Sequence, residues 1–178
     1  MAWEGDCCEY GFLWIADIAN KTISKYDFDL NLIRSFPSPG QGPSGMTFDG
    51  TDLWVADEID GNIYKIAVAD GTVLETYRSP IPYPSGLAWD GQDLWVVGVQ
   101  STKRSQKSNV KPSLVKMSFE AGFTNEHIVL PKEITRPGSL EWVDGIFWVG
   151  DQTNNMVFKL WRKHALTIEA QQKIDRVM

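Results

Sequence analysis

The stretch 86–98, GLAWDGQDLWVVG, holds two apolar runs separated by an Asp-Gly turn within thirteen residues. Similar sequences occur at 45–57 (GMTFDGTDLWVAD) and at 139–151 (SLEWVDGIFWVGD), and a less complete copy occurs at 1–17. Asp-Gly dipeptides favour the positive φ angles of hairpin turns. The phrase therefore predicts a strand, a tight turn and a second strand, repeated four times along the chain.

Three series of residues keep a single register through the four copies. The tryptophans of the second strand are separated by 40, 41 and 53 residues, with an aromatic residue before each and a lysine after it. One lysine per unit predicts a stem packed on the unit and an ammonium group that reaches solvent or a carboxylate. The series are Trp14, Trp54, Trp95 and Trp148; Trp3, Phe48, Trp89 and Trp142; Lys25, Lys65, Lys116 and Lys159.

Each unit divides into four short strands, labelled A to D in chain order, of which GLAWDG (A), LWVAD (B), NIYKIAV (C) and TVLETY (D) are examples. The second strand is apolar on both faces, which indicates burial on both sides. Four such strands per unit predict an all-β chain, a β-propeller of four four-stranded antiparallel blades at about 1–36, 37–80, 81–131 and 132–178. An all-β sandwich is the alternative, but a sandwich does not require one register four times.

The pattern PSGLAWDG-x-DLWVAD…IYKI…DGTVLETY resembles a broad propeller group. The group includes NHL repeats, streptogramin-lyase-like proteins, senescence-marker-type lactonases and glutaminyl cyclotransferases. The resemblance covers essentially the whole chain and implies blades, of which those relatives usually carry five to seven. Four units leave two arrangements open: a closed small ring, or half of a dimeric or larger propeller. An open array would expose apolar terminal blade faces and predicts a homo-oligomer.

Composition narrows the classes of partner. The chain has 178 residues, 43% of them hydrophobic, with a net charge of −6, which argues against nucleic acid and an anionic membrane. No apolar run approaches the ~20 residues of a membrane span. The first residues lack the basic and apolar regions of a signal peptide, which predicts a cytoplasmic location for a complete chain. A protein or a small molecule is the expected ligand.

One insertion stands out within the repeat. In units one, two and four the strand B tryptophan precedes the strand C lysine by 11 residues. In unit three the separation is 21 residues. The extra residues lie within 99–113, in a loop that opens on the face conventionally used for ligands. The loop predicts a cationic arm for an anionic ligand or partner, or else a solvated segment without one. Its basic residues, unaccompanied by any acid, are Lys103, Arg104, Lys107 and Lys111.

Acidic residues end the second strand in three units, at Asp17, Asp57 and Asp151, and Glu58 adjoins Asp57. Ring placement would bring these carboxylates towards one face, where Ca²⁺ or Mg²⁺ could collect oxygen ligands, with Asp57, Glu58 and Asp151 as the metal set. The resemblance to metal-dependent lactonases and lyases implies such an enzyme as one alternative. A residue repeated in three units is more typical of capping backbone amides at a turn.

The sequence contains few other residues or motifs that are typical of catalysis, redox reactions or metal binding. Adjacent Cys7 and Cys8 leave open a vicinal disulfide with a redox role or two reduced thiols in a turn. There is no Gly-x-Ser-x-Gly elbow, Walker loop, Cys-x-x-Cys or His-Glu-x-x-His. The sequence therefore favours a ligand- or protein-binding propeller, and leaves open a metal-assisted lyase or lactonase and a structural half-propeller.

Overall fold

The computed structural model describes residues 1–5, 11–99, 112–117, 119 and 126–161. Fifteen strands in these ranges form four antiparallel sheets whose spatial order follows the chain. This is the predicted four-bladed β-propeller, with three described strands in the last blade; the residues of its predicted fourth strand lie outside the described residues. The described ranges contain no helix long and apolar enough to cross a membrane. Blade 1 comprises β1 (Ala2–Gly5), β2 (Gly11–Asp17), β3 (Thr22–Tyr26) and β4 (Leu32–Pro37); blade 2 comprises β5 (Pro43–Phe48), β6 (Leu53–Asp57), β7 (Asn62–Ile66) and β8 (Val73–Arg78); blade 3 comprises β9 (Tyr83–Trp89), β10 (Leu94–Val99), β11 (Ser113–Met117) and β12 (Glu126–Val129); blade 4 comprises β13 (Pro137–Val143), β14 (Ile146–Asp151) and β15 (Met156–Trp161).

The first hairpins of blades 2 and 4 close in different ways. In blade 2 the Asp49 carboxylate accepts hydrogen bonds from the N–H groups of Thr51 (2.9 Å) and Asp52 (2.7 Å), which closes a four-residue turn. The matching turn of blade 4 has only two residues, Asp144 and Gly145, with φ angles of 50° and 82°. Units that look alike in sequence therefore end their first strand differently.

Among the described residues, three apolar clusters fill the spaces between consecutive blades. The strand B tryptophans of blades 1, 2 and 3 point at the following blade: Trp54 packs with Leu94 and Val96, and Trp95 packs with Phe147. Trp54 is 4% exposed and Trp95 is fully buried, which confirms that both lie between blades. Strands β6 and β10 are buried on both faces, as their continuous apolar sequences predict.

The outward faces of blades 1 and 4 are less covered. Strands β2 and β14 bury mainly the side chains that point at the neighbouring blade. Ile15 on the far face of blade 1 is 37% exposed, and Val157 and Trp161 on the far face of blade 4 are 42% and 39% exposed. The Met1 amino group and Glu141 are near enough for their charges to interact. Within the described ranges, however, no apolar cluster joins blades 1 and 4.

Serine hydroxyls join the inner strands of blades 2, 3 and 4. Ser44 Oγ lies 2.8 Å from the carbonyl oxygen of Pro84 in the next blade. Ser85 Oγ lies 2.7 Å from the carbonyl oxygen of Pro137 and 3.2 Å from that of Val97 in its own blade. Each serine thus connects a strand to its own sheet and to the sheet that follows.

A glycine after each of these serines lets the inner strands approach closely. A Cβ atom at Gly45 would lie 2.6 Å from the Cα of Gly86, and one at Gly86 would lie 2.6 Å from the backbone nitrogen of Leu140. Blade 4 reverses the pair, with Gly138 at the serine position and Ser139 at the glycine position. The Ser-Gly sequence that connects blades 2 and 3 to the next blade is therefore absent from blade 4.

Candidate functional site

One face of the propeller is formed by the connections into strand A and the turns after strand B. In blades 2 and 4 the connection lies next to the turn, because the first residue of strand A is the cross-strand partner of the last residue of strand B: Pro43 pairs with Asp57, and Pro137 pairs with Asp151. We call this surface the loop face. Its described segments are 17–21, 38–42, 58–61, 79–82, 131–136 and 152–155.

Asp57 is buried at the loop face, with 1% of its surface exposed. Its Oδ1 accepts hydrogen bonds from the N–H groups of Ile59 (2.9 Å) and Asp60 (3.0 Å). Its Oδ2 accepts a hydrogen bond of 2.7 Å from the N–H of Gly42. One carboxylate therefore fixes the turn that leaves β6 and the connection that enters β5.

Asp151 occupies the same place in blade 4 and is 3% exposed. Its Oδ1 accepts from the N–H groups of Thr153 (2.9 Å) and Asn154 (2.8 Å), and its Oδ2 from those of Thr135 (2.6 Å) and Arg136 (2.7 Å). Burial raises the pKa of Asp151, but these four donors outweigh that effect and hold the pKa below its usual value. Asp151 is thus an ionised clamp between two loops.

Asp17 is the matching residue of blade 1. Its Oδ1 accepts from the N–H groups of Asn20 (3.0 Å) and Ala19 (2.8 Å), and its Oδ2 from the Asn20 side chain (2.7 Å). The hydrogen bond from the Asn20 backbone, followed by that from its side chain, lowers the pKa of Asp17. The turn-capping interpretation is confirmed for all three aspartates.

Glu58 lies on the exposed side of the same turn as Asp57, and its N–H donates to the carbonyl of Gly42 at 2.9 Å. Across the ranges that the structure describes, no three His, Cys, Asp or Glu side chains form a group that could hold a metal ion. Glu58 and the three aspartates are therefore not brought together as one ligand set there. A Ca²⁺ or Mg²⁺ site stays a prediction.

The long insertion has both its ends at the loop face. Gly98 pairs with Pro84 on one side and with Ser113 on the other, at the loop end of β10. The four basic residues Lys103, Arg104, Lys107 and Lys111 lie outside the described residues, as do Cys7 and Cys8. Their predicted roles stay predictions.

The opposite side of the blades carries a feature that sequence reasoning missed. In blade 1, the indole Nε1–H of Trp14 donates to Glu4 Oε2 at 2.6 Å, and the ammonium of Lys25 lies 2.8 Å from Glu4 Oε1. We call such an arrangement a carboxylate clip: a strand B tryptophan and a strand C lysine of the same blade that both hold nearby carboxylates.

Blades 2 and 3 contain the clip as well. Trp54 donates to Asp49 at 2.8 Å, and Lys65 lies 3.3 Å from both Asp49 and Asp52. Burial lowers the pKa of Lys65, but the two carboxylates outweigh this effect and raise the pKa above its usual value. In blade 3 the acceptors, at the same two positions, are Asp90 for Trp95 (2.8 Å) and Asp93 for Lys116 (2.6 Å).

The clip confirms the expected role of the repeated lysines, whose ammonium groups reach carboxylates in blades 1, 2 and 3. A signal for it was present in the sequence, since an aspartate precedes the tryptophan by five residues in units two and three. Blade 4 has Val143 and Ile146 at the two acidic positions. Its Lys159 ammonium lies 4.3 Å from the centre of the Trp148 ring.

Comparison with solved structures places this architecture among known folds. A virginiamycin B lyase from Staphylococcus aureus matches with 16% identity and a TM-score of 0.55, over 94% of this chain and 52% of that one. A streptogramin B lyase matches with 19% identity and a TM-score of 0.55, over 94% and 51%. The WD40 β-propeller domain of Doa1 matches with 19% identity and a TM-score of 0.56, over 89% and 49%.

This chain therefore spans about half the length of the solved structures that it matches. No protein-family model matches it, and the search of curated proteins found no match. At these identities the likeness concerns the fold alone. The sheet topology and the structural matches together identify the chain as a member of the β-propeller fold.

Proposed function

We propose that this chain is a binding module whose loop face holds an anionic protein segment or small molecule. The observation that carries the proposal is the use of the loop-face aspartates. Asp57 and Asp151 direct their carboxylate oxygens at backbone N–H groups of two loops each. Loops fixed in this way form a preorganised surface, and a preorganised surface loses less entropy when a ligand binds.

The charge of the insertion supports an anionic ligand. Residues 99–113 carry four basic side chains and no acid, so the rest of the chain has a net charge of −10 (−6 − 4). Because β10 and β11 place both ends of the insertion at the loop face, this charge is attached where ligands of propellers are expected. A positively charged loop on an otherwise acidic protein attracts an anionic ligand to the loop, whereas the rest of the surface repels it.

The test replaces 99–113 by the short hairpin ADEIDGN of the second unit, residues 56–62. A second variant keeps the loop and changes its four basic residues to glutamine. Binding of inorganic phosphate and of an acidic peptide is measured by calorimetry at low and high salt. We expect loss of binding in both variants and weaker wild-type binding at high salt, because exposed charges are screened. Unchanged binding in the glutamine variant would contradict the proposal.

A metal-assisted lyase or lactonase is the second candidate, and the fold likeness to a virginiamycin B lyase and a streptogramin B lyase favours a lyase. Its proposed metal ligands are Asp57, Glu58 and Asp151, and Asp17 holds the corresponding position in unit one. Titration with Ca²⁺ and Mg²⁺, followed by thermal melting, tests this candidate. It requires a metal-dependent rise in Tm that Glu58→Gln removes, since Glu58 is exposed and its loss should leave the fold intact.

A structural half-propeller is the third candidate, favoured by the coverage of about half of each matched structure. Light scattering measures the solution mass directly. A stable dimer of 178-residue chains supports assembly into a larger ring, and a monomer of 20.1 kDa removes this candidate.

A further inference from the structure

We propose that Trp148 and Lys159 bind the carboxylate of an acidic side chain from a partner protein, on the face of blade 4 that points away from blade 3. This site is separate from the loop face. The argument begins with the three other blades, where the same two residue types hold carboxylates of this chain.

The clip of blade 1 shows why the ligand is a carboxylate. The two oxygens of Glu4 are used separately, Oε2 by the indole N–H of Trp14 and Oε1 by the ammonium of Lys25. An indole N–H is a donor only, and a lysine ammonium is a donor with a positive charge. A group with two acceptor oxygens and a negative charge satisfies both donors at once.

Blade 4 keeps the donors but not the acceptors. Trp148 and Lys159 are direct cross-strand partners in β14 and β15, like Trp54 and Lys65 in blade 2. The positions of Asp49 and Asp52 are occupied by Val143 and Ile146, whose side chains have no charge and no hydrogen-bond acceptor. Within the ranges that the structure describes, Lys159 forms no ion pair with an acidic side chain, and its ammonium instead faces the Trp148 ring at 4.3 Å.

The surroundings of the pair suit a protein surface. Strand pairing places Val143, Val157 and Trp161 on the same face of the sheet as Trp148 and Lys159. These three apolar side chains are 46%, 42% and 39% exposed. An acidic residue flanked by apolar residues would match the positive centre and its apolar rim, whereas a small ion would leave the rim in water.

Glu141 is the competing carboxylate of the chain itself, because it is the other cross-strand partner of Trp148. Its Oε1 accepts a hydrogen bond from the N–H of Trp142 at 3.2 Å. In the described part of the chain no ion pair joins it to Lys159. Its negative charge opposes an incoming carboxylate, so Glu141→Gln is expected to strengthen binding.

The experiment uses two synthetic octapeptides, one with a single Glu between two leucines and one with Gln in its place. The indole N–H resonance of Trp148, identified by its disappearance in Trp148→Phe, is followed by NMR during titration. We expect the Glu peptide to move this resonance and the Gln peptide to leave it in place. Lys159→Gln should weaken binding by about fivefold, the effect of a partly exposed ion pair.

Two further variants make the result specific. Lys116→Gln removes the matching lysine of blade 3, which is already paired with Asp93 of this chain, and should leave binding unchanged. Val143→Asp restores an acid at the position of Asp49, and its own carboxylate should occupy the donors and abolish peptide binding. Thermal melts of all variants confirm that they are folded.

Three outcomes would overturn the proposal. The first is an equal response to the Glu and Gln peptides, and the second is full affinity in Lys159→Gln. The third is an equal response to free benzoate at the same concentration, which would assign the site to small carboxylates rather than to a protein segment.

Discussion

Blades 2 and 3 differ from blade 4 at positions that contact a following blade, although all three blades have similar repeat sequences. In blades 2 and 3 a serine contacts the next inner strand, a glycine allows that strand to approach, and a carboxylate clip lies at the opposite end of the blade. Blade 4 has Gly138, Ser139 and Val143 at these three places. The difference teaches that a repeat sequence encodes two things separately: the sheet of each blade and its contact with the next blade.

The largest expected effect separates Trp95 from Trp148. Trp95 is fully buried between blades 3 and 4, where it packs on Phe147 with ring centres 4.9 Å apart. Trp95→Ala should lower the free energy of unfolding by about 3–5 kcal/mol, as other large core deletions do. Trp148→Ala should cost less than about 2 kcal/mol, because this side chain is only partly buried. Denaturant unfolding measures both, and equal losses would remove the proposed distinction between the two faces.

The next effect concerns Asp151 and its dependence on pH. Asp151→Asn should cost about 1.5–3 kcal/mol at pH 7, because an amide NH₂ group would meet backbone donors that now point at a carboxylate. The pKa of Asp151 is held below its usual 3.8 in the folded protein. The unfolded state therefore binds more protons below that value, and the stabilisation is complete above pH 3.8 and lost as the pH falls through the folded pKa.

Unfolding of the wild type and of Asp151→Asn from about pH 5 to about pH 2 checks this sign. The wild type should lose more stability than the variant over that range, and the two curves should converge at the acid end. Asp29→Asn, at an exposed position, serves as the control. Parallel curves for wild type and Asp151→Asn would show that this carboxylate is not the acid-sensitive clamp.

A smaller effect is expected at the close approach of the inner strands. Gly86→Ala would put a Cβ atom 2.6 Å from the backbone nitrogen of Leu140, and backbone cannot move away as a side chain can. Overpacking of this kind costs about 1–3 kcal/mol. The reverse change in blade 4, Ser139→Gly, should stay within about 0.5 kcal/mol, since Ser139 is exposed. A neutral Gly86→Ala in thermal and denaturant melts would mean that the strands are not held at this separation.

The smallest effect belongs to the serine contacts. Ser85→Ala removes the hydroxyl between Val97 and Pro137 and should cost about 1 kcal/mol, the net value of a typical hydrogen bond. Ser24→Ala, which removes a hydroxyl from an exposed pair with Ser35, is the matched control and should be nearly neutral. If both variants unfold at the same denaturant concentration, the contact between blades 3 and 4 does not depend on Ser85.

The sequence predicted the blades because burial on a sheet follows a simple period. LWVAD is apolar at consecutive positions, and only a strand covered on both faces requires that pattern, so the burial of Trp54 followed from the sequence. The capping role of Asp57 followed from its repetition before a turn. Trp148 belongs to the same series, yet a series cannot tell whether the next blade covers its last member.

Contacts between blades were harder to predict from the sequence. The words Pro-Ser-Gly at 43–45 and 84–86 marked the start of a strand, but the acceptor of Ser44 is the carbonyl of Pro84, forty residues later. A backbone carbonyl has no sequence signal, because every residue has one. The same limit applies to the clip, where the sequence showed the lysines and the acids without showing which pairs meet.

The serine contacts also have a consequence for how the molecule opens. They connect blade 2 to blade 3 and blade 3 to blade 4 at the inner strands, near the centre of the array. Besides the apolar cluster that they share, blades 1 and 2 are joined by hydrogen bonds at the outer edge of blade 1, where the Arg34 guanidinium donates to the carbonyls of Val68 and Ala69 at exposed positions. In a linear array each unit is stabilised only by its neighbours, so the unit with the weaker connection frays first. Amide hydrogens of β1–β4 should accordingly exchange with solvent before those of β5–β11, which open as one cooperative unit.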